Sequence, residues 1–249
     1  MALKLENIKW NLSDENGNTR EIIKDVSLEF GDGKLIVVTG PNGGGKTTMA
    51  KLIAGVVTPS SGKILLENNG NVCDITNMNV TDRAKSGIAY AFQQPVRFKG
   101  LTVRDLLETA AGRTMNKNEL CQLLGKVGLC AEEYINREMN TSLSGGESKR
   151  IEIATVLARE AKISVFDEPE AGIDLWSFTK LVETFEEIRE NRKGTLIIIS
   201  HQERIISIAD DIVVIADGRI RTYGTREEIL PTLLSDEKTI RCPINPKGV

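Results

Sequence analysis

Four short stretches of this 249-residue chain hold residues whose types and spacing could do chemistry. "TGPNGGGKTT" contains G-x-x-x-x-G-K-[ST], running from Gly40 to Thr47. Glycines let successive backbone N–H groups turn inward around an anion, and a helix N-terminus behind them adds partial positive charge. Lys46 can reach β- and γ-phosphates, and the Thr47 hydroxyl suits Mg²⁺. A glycine-rich helix cap is the competing reading, but strand, loop, Lys-Thr and helix all stand in order. "ISVFDEP" ends a buried strand with Asp167 and Glu168, and Pro169 stops it there. Beside a phosphate loop, Asp167 fits the magnesium shell and Glu168 can polarise an attacking water. Alone, the pair reads equally as a solvated acidic turn. "GTLIIISHQERI" holds the only histidine, His201, at the end of another buried strand. In "NTSLSGGESKR", Ser144 reads as a helix N-cap with Glu147 three residues on, as in a capping box. That helix start is either an ordinary cap or a second phosphate site, serving ATP carried by another copy in a two-fold, head-to-tail dimer.

These residues need elements to position them. "LKLENIKW" and "EIIKDVSLEF" read as antiparallel strands around the turn "SDENGN". "KLIVVTG", "KISVFDEP" and "TLIIISH" are short apolar runs suited to a parallel sheet covered on both faces. "KTTMAKLIAGV" and "LWSFTKLVETFEEIREN" read as helices. "GKILLENN" reads as an antiparallel strand, followed by the loop "GNVCDITNMN". "SGIAYAFQQ" is strand-like, and from about residue 96 to about 160 only helical spacing remains. "DIVVIADGRIRTYG" reads as two strands around an Asp-Gly turn. The tail "KTIRCPINPKGV" reads as irregular.

Hydrophobic residues make up 40% and charged residues 27%, as in ordinary globular proteins. A net charge of −3 and a pI near 5.5 offer no basic field for nucleic acid, so none is expected as a partner. Cys73, Cys121, Cys130 and Cys242 form no CxxC pair, which argues against a zinc or intrinsic iron–sulfur site. Reduced thiols in the cytoplasm are the expectation. "MALKLENIKW" lacks a signal-peptide core, and no apolar run approaches the roughly 18 residues of a membrane span. No direct membrane insertion is expected.

The whole ordered pattern resembles the ATP-binding-cassette (ABC) ATPases. "LSGGE" resembles their LSGGQ signature, here Ser144, Gly145, Gly146 and Glu147. The Walker A loop matches Gly40, Pro41, Asn42, Gly43, Gly44, Gly45, Lys46, Thr47 and Thr48. Gln93 in "AFQQP" matches the Q-loop glutamine, Ile163–Asp167 the Walker B strand with Glu168 following, and "AGID" the D-loop ending at Asp174. His201 matches the switch histidine near the γ-phosphate. The resemblance implies ATP and Mg²⁺ as ligands, with Thr47, Gln93 and Asp167 around the metal. It implies ATP hydrolysis served by Lys46, Gln93, Glu168 and His201, and a homodimer that forms on ATP. The implied fold is α/β: a P-loop (RecA-like) parallel-sheet core, an N-terminal antiparallel β subdomain and an inserted helical subdomain. One domain covers 1–249, with the α/β core and its antiparallel subdomain at 1–94 and 161–234, helices at 95–160 and a tail at 235–249. The family's adenine-stacking aromatic has no match at Leu12; Trp10 lies two residues earlier and stacks on the base or packs in the core.

Most single cassettes of this size power transporters, and "TPSSGKILLENNG" looks like such subunits. Transporter cassettes commonly read LSGGQxQR, DEPTSALD and THD, whereas this chain has "LSGGESKRIEI", "DEPEAGIDL" and "SHQERI". Those stretches are similar to the SufC-type ATPases of the SUF iron–sulfur assembly system. That resemblance implies a soluble SufB/SufD-like scaffold as partner; the alternative is the nucleotide-binding subunit of a membrane transporter. The short "GVVTPSSGKI" departs from the SufC-type pattern and is transporter-like.

Overall fold

The computed structural model describes residues 1–13, 17–68, 70–140, 142–191 and 194–239. Residues 14–16 of the expected turn, and 240–249 of the expected tail with Cys242, lie outside the described residues. The chain runs β1 (Ala2–Ser13), β2 (Thr19–Phe30), β3 (Leu35–Thr39), α1 (Lys46–Ala54), β4 (Ser61–Asn68), β5 (Asn71–Asp74), α2 (Val80–Lys85) and β6 (Ile88–Ala91). Helices α3 (Val103–Ala111), α4 (Lys117–Lys126), α5 (Ala131–Tyr134) and α6 (Gly145–Ala158) follow. Then come β7 (Ile163–Asp167), α7 (Leu175–Glu190), β8 (Thr195–Ile199), α8 (Glu203–Ile206), β9 (Asp211–Ala216), β10 (Arg219–Thr225) and α9 (Arg226–Thr239).

Two sheets form. An antiparallel sheet has the order β2-β1-β4-β5, and a second has β10-β9-β3-β8-β7-β6, parallel except for β10. Alternation on the parallel strands divides the core. Leu35, Val37, Leu196 and Ile198 face a cluster shared with α3, α4, α6 and α7. Ile36, Val38, Ile197 and Ile199 face a cluster shared with α1 and the antiparallel sheet. With both faces covered, these strands carry apolar residues throughout. Capping boxes start the inserted helices: Thr102 with Asp105 for α3, and Asn116 with Glu119 for α4.

The sequence expectation fails at two ends. "GNVCDITNMN" is not all loop, because Asn71–Asp74 forms β5 on β4 and Asn79 caps α2. All four β5 side chains are exposed, so main-chain pairing holds the strand and leaves no apolar alternation to read. Residues 235–239 of the tail bounded at 235–249 are helical, since α9 continues to Thr239, two residues into the stretch read as irregular from Lys238. Pro231 lies inside α9, where Ile229, Leu230 and Leu233 pack on the core and outweigh the lost hydrogen bond.

Arg83 fastens the α1 end to α2. It is 1% exposed and donates to the carbonyls of Leu52, Ile53 (2.9 Å), Thr76 (2.8 Å) and Met78 (3.1 Å). Two of these, Leu52 and Ile53, are carbonyls of the last turn of α1, where the helix's own donors run out. Arg83→Met should therefore lower unfolding free energy by about 2–4 kcal/mol, read as a lower urea midpoint. An unchanged midpoint would refute the assignment.

Candidate active site

The phosphate loop leaves β3 at Thr39 and closes on α1. A Cβ at Gly40 would fall 2.1 Å from the Ile215 carbonyl oxygen, and one at Gly44 would fall 2.8 Å from it, so the loop can back onto β9 only with glycine. Gly45 is left-handed (φ 107°) and offers α1 no side-chain cap, which leaves the helix start to a ligand. Lys46 Nζ donates to Gly40 O (2.7 Å) and Pro41 O (3.0 Å), curling the loop round its own ammonium. Burial pulls the Lys46 ammonium below its usual range, while Glu168 and Asp167 oppose this.

Sheet register assembles the rest. Val38 pairs with Ile199 and Ile199 with Asp167, so β7 and β8 end level with the penultimate residue of β3. Ala91 pairs with Phe166, which brings Gln93 level with Glu168 two residues on. Asp167 is fully buried; its Oδ1 accepts from Thr47 Oγ1 (3.2 Å) and its Oδ2 from Tyr90 Oη (3.1 Å). Burial pushes the Asp167 carboxyl up, and these two hydroxyls pull it back. Glu168 turns off the strand in the left-handed region (φ 46°), a conformation that costs a non-glycine residue energy and re-aims its side chain. Its Oε2 accepts from Gln93 Nε2 (2.8 Å), and its Oε1 lies 3.7 Å from His201 Nε2. Burial, then the Lys46 charge, hold His201 below its usual pKa, so the imidazole is neutral at neutral pH.

Among the described residues no group of three or more His, Cys, Asp and Glu could cage a metal. Thr47 and Asp167 supply adjacent hard oxygens, a donor set that fits Mg²⁺ sharing its shell with substrate phosphates and water.

The "SGGE" segment stands apart from this centre. Ser144 Oγ accepts from Glu147 N (3.2 Å) and Glu147 Oε2 accepts from Ser144 N (2.7 Å), so the expected capping box starts α6. A Cβ at Gly146 would fall 2.5 Å from Gly172 O, which packs the helix start onto the "AGID" loop. Asp174 caps α7 by accepting from Ser177 N (2.9 Å). Trp10 packs on the core cluster opposite Ile23, and Leu12 is 52% exposed.

The family model described as ABC transporter matches residues 23–171. The chain belongs to the ABC transporter family. An uncharacterized ABC transporter ATP-binding protein from Methanocaldococcus jannaschii is 33% identical over 238 residues, covering 92% of this chain and 91% of that protein. The lipopolysaccharide export system ATP-binding protein LptB of Escherichia coli is 31% identical over 220 residues, covering 85% and 87%. The fold matches a dimeric, post-hydrolysis ATP-binding cassette bound to ADP and Pi (TM-score 0.78, 22% identity, 90% and 98% covered). It also matches a bacterial Atm1-family ABC exporter with ATP bound (TM-score 0.78, 25% identity), covering 99% of this chain and 42% of that one. The chain is thus an ABC-type ATPase, which binds ATP with Mg²⁺ and hydrolyses it. None of the described helices is long and apolar enough to cross a membrane.

Beneath the ABC motifs lie supporting residues that sequence reasoning missed. Lys149, 1% exposed, donates to the carbonyls of Phe92, Gln93 (3.3 Å) and Asp167 (3.1 Å), tying the segment after β6 to the end of β7. Glu152 Oε1 accepts from Phe92 N (3.1 Å), and its Oε2 lies 3.8 Å from Lys149 Nζ. Ser200 Oγ donates to Glu170 Oε1 (2.6 Å) and accepts from Gln202 N (3.0 Å), fixing the turn that carries His201. Lys149 shares a helical stripe with Ile153 and Val156, so a lysine on the apolar face of α6 was the readable sign. Tyr90 carried no such sign.

Burial pushes the Glu152 carboxyl up to about 7 despite the opposing Lys149 charge. The native state therefore holds this proton more tightly than the unfolded chain, and it loses stability as pH rises from the usual glutamate range through 7. Glu152→Gln keeps an acceptor for Phe92 N and carries no charge. Its melting temperature should vary less than the parent's between about pH 5 and about pH 8. Parallel profiles would refute this account of Glu152.

Proposed function

We propose that this chain is the motor subunit of a larger ABC system, in which two copies close on Mg-ATP and their cycle drives a partner. The placement of Glu168 carries this reading: it stands between the Gln93 amide and neutral His201, beside the phosphate loop. A carboxylate held there orients water for in-line attack on the γ-phosphate. The N–H groups of the Gly40–Thr48 loop cradle the phosphates, and Lys46 exchanges its loop carbonyls for them. Thr47, Asp167 and Gln93 would hold Mg²⁺, which when bound would offset the phosphate charge. His201 donates a hydrogen bond to the γ-phosphate. Ser144, Gly145 and Gly146 of a second copy, at the head of the helix that Glu147 caps, close over it, with Asp174 on the adjoining D-loop. Hydrolysis removes the bridging charge and the pair loosens.

Exposed Val96, Phe98 and Leu101 follow the Q-loop and offer a docking surface through which opening and closing would reach the partner. The relatives support a membrane transporter as that partner: one is named for lipopolysaccharide export, and another, CysA of Synechocystis, for sulfate/thiosulfate import. On this reading the chain works from the cytoplasmic side and the partner supplies the membrane spans. A second reading, a SufB/SufD-like scaffold for iron–sulfur assembly, draws support from buried Lys149 and from the Glu170–Ser200 bond. Both involve residues by which this sequence departs from the transporter pattern.

Glu168→Gln should cut ATP turnover by about 100-fold or more and accumulate an ATP-bound dimer in light scattering. Turnover at the parental rate would overturn the reading. For the partner, a complex that needs detergent supports transport, whereas a membrane-free complex that accepts iron and sulfide supports the scaffold.

A further inference from the structure

Glu147 poses a charge problem on the proposed dimeric reading. It stands in the first turn of α6, the helix start that would face another copy's triphosphate. A carboxylate there spends the positive end of the helix and repels phosphate. Glu147 cannot shed its charge by taking up a proton: the Tyr134 hydroxyl, then the Ser144 backbone N–H, hold its carboxyl down at about 2.

We infer that Tyr134 and Arg137 are positioning residues that absorb the Glu147 charge and turn its carboxylate back into its own subunit, so that the signature can receive ATP. Tyr134 Oη donates to Glu147 Oε1, and Arg137 Nη1 lies 3.8 Å from the same oxygen. The Arg137 guanidinium sits 4.5 Å over the Tyr134 ring, so the two act as one clamp. Glu147 Oε2 is taken by Ser144 N at 2.7 Å, which leaves both oxygens engaged within the chain.

The clamp has a firm mount. Arg104 N donates to Ile135 O (3.0 Å), Val103 N to Arg137 O (2.9 Å), and Met139 N to Leu101 O (3.0 Å). Phe98 N closes the strip by donating to Met139 O (3.0 Å). The strip carrying the clamp is thus zipped to the segment that leaves the Q-loop. An ordinary helix cap needs only Ser144 and Glu147; the added tyrosine and arginine answer the charge.

The inference rests on the two-copy reading, and its test separates the two. In full-length Glu168→Gln protein, the ATP concentration giving half-maximal dimer is measured by light scattering at low and high salt. Tyr134→Phe combined with Arg137→Met should raise that concentration roughly tenfold at low salt, and less at high salt. Adding Glu147→Gln, which keeps the capping geometry without the charge, should return it to within about twofold of the parent. Tyr134→Phe alone keeps the ring under Arg137 and should give a smaller shift in the same direction, which covers the case of a double variant that does not fold. Unchanged ATP dependence overturns the inference. A loss that Glu147→Gln does not rescue also overturns it, because the pair would then be serving helix packing alone. Failure of the Glu168→Gln parent to dimerise with ATP overturns the two-copy reading and the inference with it.

Discussion

Main-chain hydrogen bonding across β3, β8, β7 and β6 is the constraint on which the site depends. The parallel ladders set Val38, Ile199 and Asp167 in one row and bring Gln93 level with Glu168. A slip of one residue in any ladder would turn the following side chain to the opposite face. The apolar residues that fill both faces of these strands therefore do more than stabilise the sheet. They fix the register that aligns a phosphate loop, a carboxylate pair, a glutamine and a histidine contributed from distant parts of the chain.

A second demand follows from charge. The edge of this sheet gathers Lys46, Asp167, Glu168 and His201, with Lys149, Glu152 and Glu170 buried behind them. Buried charges persist only when paired or hydrogen-bonded. The chain meets this with carbonyls as much as with counter-ions. Lys149 caps three of them, and Lys46 holds two carbonyls of its own loop. Arg83 does the same at the far end of α1. Such bonds tie loops to strand ends, so the charged groups also act as fasteners for the backbone that surrounds the nucleotide.

The fold was largely legible because its signals are local. The capping box at Ser144, the Asp-Gly turn with its left-handed Gly218, and unbroken apolar strands each mark themselves within a few residues. β5 and α9 were not legible, since one has only exposed side chains and the other a proline that tertiary packing overrides. Partner choice was read in opposite directions by different stretches: "LSGGESKRIEI" and "SHQERI" pointed to a scaffold, "TPSSGKILLENNG" to a transporter. The relatives themselves are named as ATP-binding proteins of ABC transporters and of lipopolysaccharide export.

By itself, the sequence determined the phosphate loop, the carboxylate pair, the lone histidine and the capped second helix, because each is a contiguous pattern whose chemistry follows from neighbouring residues. Only the tertiary structure decided that Gln93 donates to Glu168, that Tyr90 holds Asp167, that Lys149 ties the segment after β6 to the end of β7 and that Tyr134 donates to Glu147. Those contacts join residues 13 to 77 positions apart. Spacing along a chain does not encode them; they arise where strand register and helix packing bring side chains within hydrogen-bonding reach.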